Sequence, residues 1–201
     1  MSLFQKIKNF YFRCFHLYAL ETANKASENN TRILAAGCEW KQLSANDYQH
    51  FVSLGFGEAK LAVLQQRLLD SQHWQGFGIF EKPGGKLVYY CWINRSTTYF
   101  AKEIHRTFNL GKQQCIFEDD FTVPEHRGKG LHAYAMQQRI DYCRQQDIKT
   151  IYIIIECGNT PALKTIFSFG FKQQTNNPYT YRRGSLGESF DLLRKKIISR
   201  Q

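Results

Sequence analysis

Dense apolar runs alternate along this chain with longer stretches of helical spacing. Residues 150–157 (TIYIIIEC) are nearly all β-branched and apolar, which predicts a central strand buried on both faces. Residues 115–123 (CIFEDDFTV) predict a strand of simple parity, with Glu118, Asp120 and Thr122 on one face and Asp119, Phe121 and Val123 on the other. The helical pattern of residues 131–146 lies between these runs, and such a crossover makes them parallel neighbours. Upstream, residues 38–43 predict a first strand, and Ser44 with Asp47 three positions later starts a helix. Leu61, Leu64, Leu68 and Leu69 mark a second helix over 58–70. Residues 76–81 and 86–94 flank Pro83-Gly84-Gly85 as a hairpin. Residues 95–114 predict a loop with a helical turn near 101–107, placed to line a pocket. Pro161 opens another helix, and residues 171–174 and 180–183 supply the last strands.

The opening stretch carries Leu3, Ile7, Phe10, Cys14 and Leu17 at helical spacing, widened by Phe4, Tyr11, Phe15 and Tyr18. It predicts an amphipathic helix that packs on its own domain or a second subunit, or lies on a membrane surface. Lys6, Lys8, Arg13 and His16 exclude it as a spanning helix or signal peptide. The sum is an α/β (α+β) fold: a mixed, mostly antiparallel central sheet of six to seven strands with helices on both faces. Residues 1–35 form the amphipathic helix and a polar linker, 36–183 the domain, and 184–201 a basic tail.

Composition narrows the partners. The 27 Lys and Arg outnumber 17 Asp and Glu, a formal charge of +10 that favours anionic groups. The basic residues are spread without an RNP or helix-turn-helix pattern, which argues against nucleic acid. Cys14, Cys38, Cys91, Cys115, Cys143 and Cys157 are scattered, with no C-x-x-C and no metal-spaced His pair. This predicts no metal site, no disulfide framework, and mostly buried reduced thiols in a cytoplasmic protein.

The candidate chemistry sits between the strand of 115–123 and its helix, at Arg127-Gly128-Lys129-Gly130. Two glycines let successive N–H groups turn inward, the helix N-terminus adds partial positive charge, and Arg127 and Lys129 add full charges. Such a loop takes a phosphate or pyrophosphate, or caps a helix as a basic turn. It has neither the P-loop spacing nor the three glycines of a dinucleotide fingerprint.

The run resembles motif A of the GNAT acyltransferase superfamily, Arg/Gln-x-x-Gly-x-Gly/Ala, with Arg127 first, Gly130 fourth and His132 in the last, normally small position. A second similarity lies downstream, where Asn159, Ala162, Gly170 and Phe171 match the family's Asn-x-x-Ala helix and its Gly-Phe step. Together the motifs cover residues 85–182. The resemblance implies acetyl-CoA, with its pyrophosphate on the N–H groups of Arg127, Gly128, Lys129, Gly130, Leu131 and His132. Its pantetheine arm would bond to the backbone near Thr122 and Val123, with Asn159 beside it. Asn159 equally suits a helix cap. The implied reaction is acetyl transfer to a primary amine of a small molecule, such as an amino sugar or nucleotide sugar. The alternatives are a protein or lipid-linked acceptor at a membrane, or a coenzyme-binding module without catalysis; a homodimer suits any of them.

In related enzymes the base projects four residues before the aliphatic position, which assigns the role to Glu118 with Asp120 as helper or amine binder. The same acids would serve equally as salt-bridged structural groups. The acid has no such match: the family's Tyr position is Ile166 here, followed by Phe167, which leaves Tyr152, Tyr179, Tyr181 or a water.

Overall fold

The computed structural model describes residues 12–22, 34, 37–83, 85–174 and 179–182. Among these residues ten strands and four α-helices follow in chain order: β1 (Phe12–Glu21), β2 (Cys38–Gln42), α1 (Tyr48–Val52), α2 (Glu58–Leu69), β3 (Trp74–Glu81), β4 (Lys86–Asn94), β5 (Thr98–Ala101), β6 (Arg106–Asn109), β7 (Gln114–Thr122), α3 (Leu131–Gln145), β8 (Thr150–Glu156), α4 (Thr160–Ser168), β9 (Lys172–Gln173) and β10 (Tyr179–Arg182). The main sheet runs β10-β1-β8-β7-β4-β3-β2, with β9 also against β1. Among the described residues only β7 and β8 pair in parallel, joined by the α3 crossover. No helix among the described residues is long and apolar enough to cross a membrane.

Both faces of the sheet are covered. Met136, Ile140 and Cys143 of α3 and Ile166 of α4 pack on Phe77, Cys91, Phe117 and Ile153. On the other face, Phe51, Leu64 and Leu68 of α1 and α2 cover Leu87, Tyr90 and Trp92. Trp92 is wholly buried and stands over Gly76, its partner on β3. A Cβ on Gly76 would lie 2.6 Å from the Trp92 ring. Phe51 and Trp74 contact that ring from other sides, so it has no room to retreat. Gly76→Ala is therefore expected to lower stability by about 1–3 kcal/mol, measured by urea unfolding.

Three expectations are corrected here. Residues 12–21 form a strand and not the second half of a helix; the first eleven residues and the tail beyond 182 lie outside the described residues. Phe15, Leu17, Tyr18, Ala19 and Leu20 are all buried, so the run is apolar on both faces of a strand, which mimics the broad face of a helix. The sheet thus takes in residues that the sequence reading set outside the domain. Second, Cys14 and Cys157 form a disulfide although 143 residues separate them. The antiparallel pairing of β1 with β8 brings them together, and Cys157 N–H donates to Cys14 O at 2.8 Å. The other four cysteines are free thiols, three of them buried. Third, residues 98–109 fold as a β-hairpin and not a helical turn. Tyr99, Ala101 and Ile104 bury themselves against Phe15 of β1 and Ile116 of β7.

Candidate active site

β7 and β8 pair only as far as Phe117 and Ile153, yet β7 continues to Thr122 and β8 to Glu156. The strands splay apart, and a cleft of about 1040 Å³ opens between them. In a sheet interior such main-chain groups would be paired by the neighbouring strand; here one side of residues 118–122 faces the cleft. Residue 120 is exposed although its side chain is only 21% so, as expected if its main chain lies open.

The loop after β7 closes one end of the cleft. Pro124–His126 make a single 3-10 turn, and the backbone then passes through Gly128 and Gly130 at φ of 77° and 76°, a region that side chains with a Cβ rarely adopt. Gly130 is the N-cap of α3, whose first helical bond runs from Tyr134 N–H to Gly130 O at 3.0 Å. The N–H groups of Leu131, His132 and Ala133 precede that bond and are the unpaired donors of a helix start. Arg127, Gly128, Gly130, Leu131 and His132 line the cleft, so the donors and the helix dipole open on it beside Arg127, whose Nε donates to Thr122 O at 3.3 Å. Lys129 is exposed at the loop tip, outside the cleft wall. Thr122 lines the cleft; Val123 does not, being buried with its N–H donating to Val88 O at 3.0 Å. Asn159 lines the opposite wall and caps α4, accepting from Ala162 N–H at 3.3 Å, which leaves its side-chain N–H groups uncommitted to the cap.

The three acids of β7 do not alternate as simple parity predicts. Tyr90 pairs with Phe121 and Trp92 with Glu118, so Cys91 alone faces both Asp119 and Asp120, a β-bulge. Asp119 takes φ of 54°, which aspartate tolerates better than most residues. The bulge turns Glu118 and Asp119 towards α2 and sends Asp120 to α3. Arg67 of α2 forks between the first two, Nη2 to Glu118 Oε2 at 2.8 Å and Nη1 to Asp119 Oδ2 at 2.9 Å. Lys60 donates to Asp119 as well, and Tyr99 Oη of the hairpin donates to the second oxygen of Glu118. Asp120 meets Arg139 at 2.9 Å, and His132 Nε2 lies 3.2 Å away. Glu118 and Asp120 therefore do not form a pair on one face.

Their electrostatics diverge accordingly. Burial pushes the Glu118 carboxyl up more strongly than the Arg67 charge and the Tyr99 hydroxyl pull it down, so it titrates above the ordinary carboxylate range. Burial also pushes on Asp120, but the Arg139 guanidinium and His132 outweigh it and hold the carboxyl at about 2. Asp120 is thus a permanent counter-ion and not a proton acceptor, whereas Glu118 suits proton abstraction. His132, the bulky departure in the motif, turns its ring back towards Asp120 and Tyr89.

Ile166 is fully buried, and Phe167 packs edge-on against Tyr18, so neither reaches the cleft. Tyr152 and Tyr179 belong to the cluster around the hairpin and are not among the cleft residues; the Tyr181 side chain lies outside the described residues. The tyrosines that line the cleft are Tyr89 and Tyr99. Sequence reasoning missed Tyr99, Arg67 and Arg139. The two arginines carried a signal, since each interrupts the apolar face of its helix and implies a buried acid.

The sequence profile of the Acetyltransferase (GNAT) family matches residues 45–171. Among solved structures, the chain resembles a tandem GNAT protein from the clavulanic acid biosynthesis pathway, with TM-score 0.61 and 14% identity over 86% of this chain and 54% of that one. It resembles an aminoglycoside antibiotic 6'-N-acetyltransferase from Acinetobacter baumannii with TM-score 0.52 and 13% identity, over 74% of this chain and 99% of that one. A further 6'-N-acetyltransferase, in complex with the bisubstrate analogue CoA-S-monomethyl-acetylneamine, gives TM-score 0.55 and 14% identity, over 73% and 98%. At such identities the likeness is one of fold. The chain spans about half the length of the first structures it matches, 54% in each of two cases. A comparison with curated protein sequences finds no match.

Proposed function

The chain belongs to the Acetyltransferase (GNAT) family, and from that premise we propose that it moves an acetyl group from acetyl-CoA to a primary amine of a small molecule. The observation that carries this reading is the splay of β7 from β8, which leads from the glycine loop at the α3 N-terminus to Glu118 at its closed end. The pyrophosphate would sit on the N–H groups of Gly128 to His132 beside Arg127. The pantetheine arm would lie along the cleft-facing side of residues 118–122 as a strand-like partner, with Thr122 O already accepting from Arg127 Nε at 3.3 Å. Asn159 stands across the cleft with donors to spare. Glu118 would take a proton from the amine. An amino sugar or nucleotide sugar is the proposed acceptor; the likeness in fold to aminoglycoside acetyltransferases supports trying such amines first.

Thermal unfolding with acetyl-CoA, against ATP and NAD as controls, tests the coenzyme part. Acetyl-CoA at about 100 times its dissociation constant is expected to stabilise the fold by roughly 2.7 kcal/mol, with no comparable effect from the controls. An absent or unselective shift would refute the reading. Gly130→Asp puts a carboxylate and a Cβ where φ is 76° and a pyrophosphate is proposed. It is expected to weaken acetyl-CoA by at least about tenfold, or roughly 1.4 kcal/mol, in calorimetric titration of the folded variant.

A further inference from the structure

The family's tyrosine position holds Ile166, buried away from the cleft, so the leaving thiolate needs another proton source. Tyr99 is 5% exposed, lines the cleft, and donates to Glu118 from the β5–β6 hairpin, an element unrelated to the motif that usually supplies the acid. Glu118 is the first β7 residue beyond the last β7–β8 pair, so Tyr99 caps the closed end of the splay where the acetyl thioester would arrive. We infer that Tyr99 is the general acid, exchanging its proton with Glu118 along the hydrogen bond that joins them. This rests on the acetyltransferase reading above.

The protons balance. The ammonium first loses one proton to solvent, and the free amine adds to the thioester carbonyl carbon. Glu118 takes the extra proton of the nitrogen in the tetrahedral intermediate. The C–S bond breaks with its electron pair on sulfur, and Tyr99 protonates the thiolate. The proton on Glu118 then passes to the tyrosinate, and both side chains end as they began, leaving amide and free thiol. The order is physically favoured. Burial first, and then the Glu118 charge, hold the Tyr99 proton tightly, well above the ordinary range for tyrosine. Once Glu118 is protonated the charge repulsion is gone while burial remains, and the Arg67 guanidinium, 2.8 Å from Glu118, is left to favour the tyrosinate. Tyr89 is the other cleft tyrosine, but it lies on the Asp120 side of the bulge, near a carboxylate that stays ionised and cannot pass it a proton.

The test is Tyr99→Phe in the full chain, with thiol release from acetyl-CoA followed across pH using hydroxylamine and glucosamine as amine probes. The expected result is a fall of about 10² to 10⁴-fold in kcat near neutral pH, an acetyl-CoA dissociation constant unchanged within about twofold, and a further fall of at least about tenfold when Tyr99→Phe is added to Glu118→Gln. A tyrosine that merely positions Glu118 would cost nothing further in the Glu118→Gln background, and this outcome, like an unaltered rate, overturns the assignment. Should the Phe variant fail to bind acetyl-CoA, 3-fluorotyrosine at position 99 keeps shape and hydrogen bond while acidifying the phenol. Its kcat should then differ from wild type by at least about threefold, and an unchanged kcat overturns the assignment. Wild-type protein that binds acetyl-CoA yet releases no thiol with either amine would overturn the transferase reading itself, and the role of Tyr99 with it.

Discussion

Glu118→Gln is expected to depress acetyl transfer by about 10² to 10⁴-fold, the usual share of a general base, while acetyl-CoA binds as before. The substitution keeps the shape of the side chain, so Tyr99 can still donate to an oxygen, and Arg67 keeps Asp119 at 2.9 Å. What it removes is a carboxyl that burial pushes up. That same rise fixes two signs. In the wild-type protein the acidic limb of kcat/KM should fall above the ordinary carboxylate range of about 4.3. A carboxyl that titrates higher folded than unfolded opposes folding increasingly as pH rises through that interval, so the Gln variant should unfold no more easily than wild type at pH 7. Steady-state kinetics with parallel thermal unfolding check both statements, and unaltered turnover would remove Glu118 from the mechanism.

Arg139→Met is expected to be the most destabilising of the single changes considered, at about 3–5 kcal/mol in urea unfolding near pH 7. Arg139 is 0% exposed, lies 4.3 Å over the Phe117 ring and pairs with Asp120 at 2.9 Å. Methionine fills much of the volume but leaves the Asp120 charge without its main partner. The pH dependence carries a second signature. Asp120 titrates near 2 when folded, so its contribution is present above the unfolded value of about 3.9 and is lost as pH falls through 2. In the Met variant that acid loss should shrink, and the stability gap between the two proteins should narrow between about pH 4 and pH 2. A gap that is constant across this window would mean that Asp120 and Arg139 are not coupled.

Much of the fold was legible because its elements announce themselves locally. TIYIIIE could be little other than a buried strand, and the glycine loop between a strand and a helix carries its own chemistry. The failures share a cause, which is that they are non-local. The β1 strand is held as a strand by pairing with β8, β9 and β10 and buries side chains in two separate clusters, whereas alone its aromatics satisfy a helical period as well. The Cys14–Cys157 disulfide depends on that same pairing. The bulge at Asp119 reverses the parity of every later residue in β7, and no residue type in EDDF signals it. Glu118 was found in the sequence, but its partners Arg67 and Tyr99 come from elements up to 51 residues away in the chain. The overlooked clue was a charged residue inside an apolar helical stripe, Arg67 between Leu64 and Leu68 and Arg139 between Met136 and Ile140.

The central claim is that acetyl-CoA lies in the splay between β7 and β8, with its phosphates on the α3 N-terminus. Backbone amide shift mapping of the labelled protein on addition of acetyl-CoA tests it most directly. The account predicts the largest shifts at Gly128, Gly130 and Leu131 to Ala133, a second group along Glu118 to Thr122, and a third at Asn159. Saturable shifts confined to other surfaces, or none in this cleft at millimolar acetyl-CoA, would contradict it.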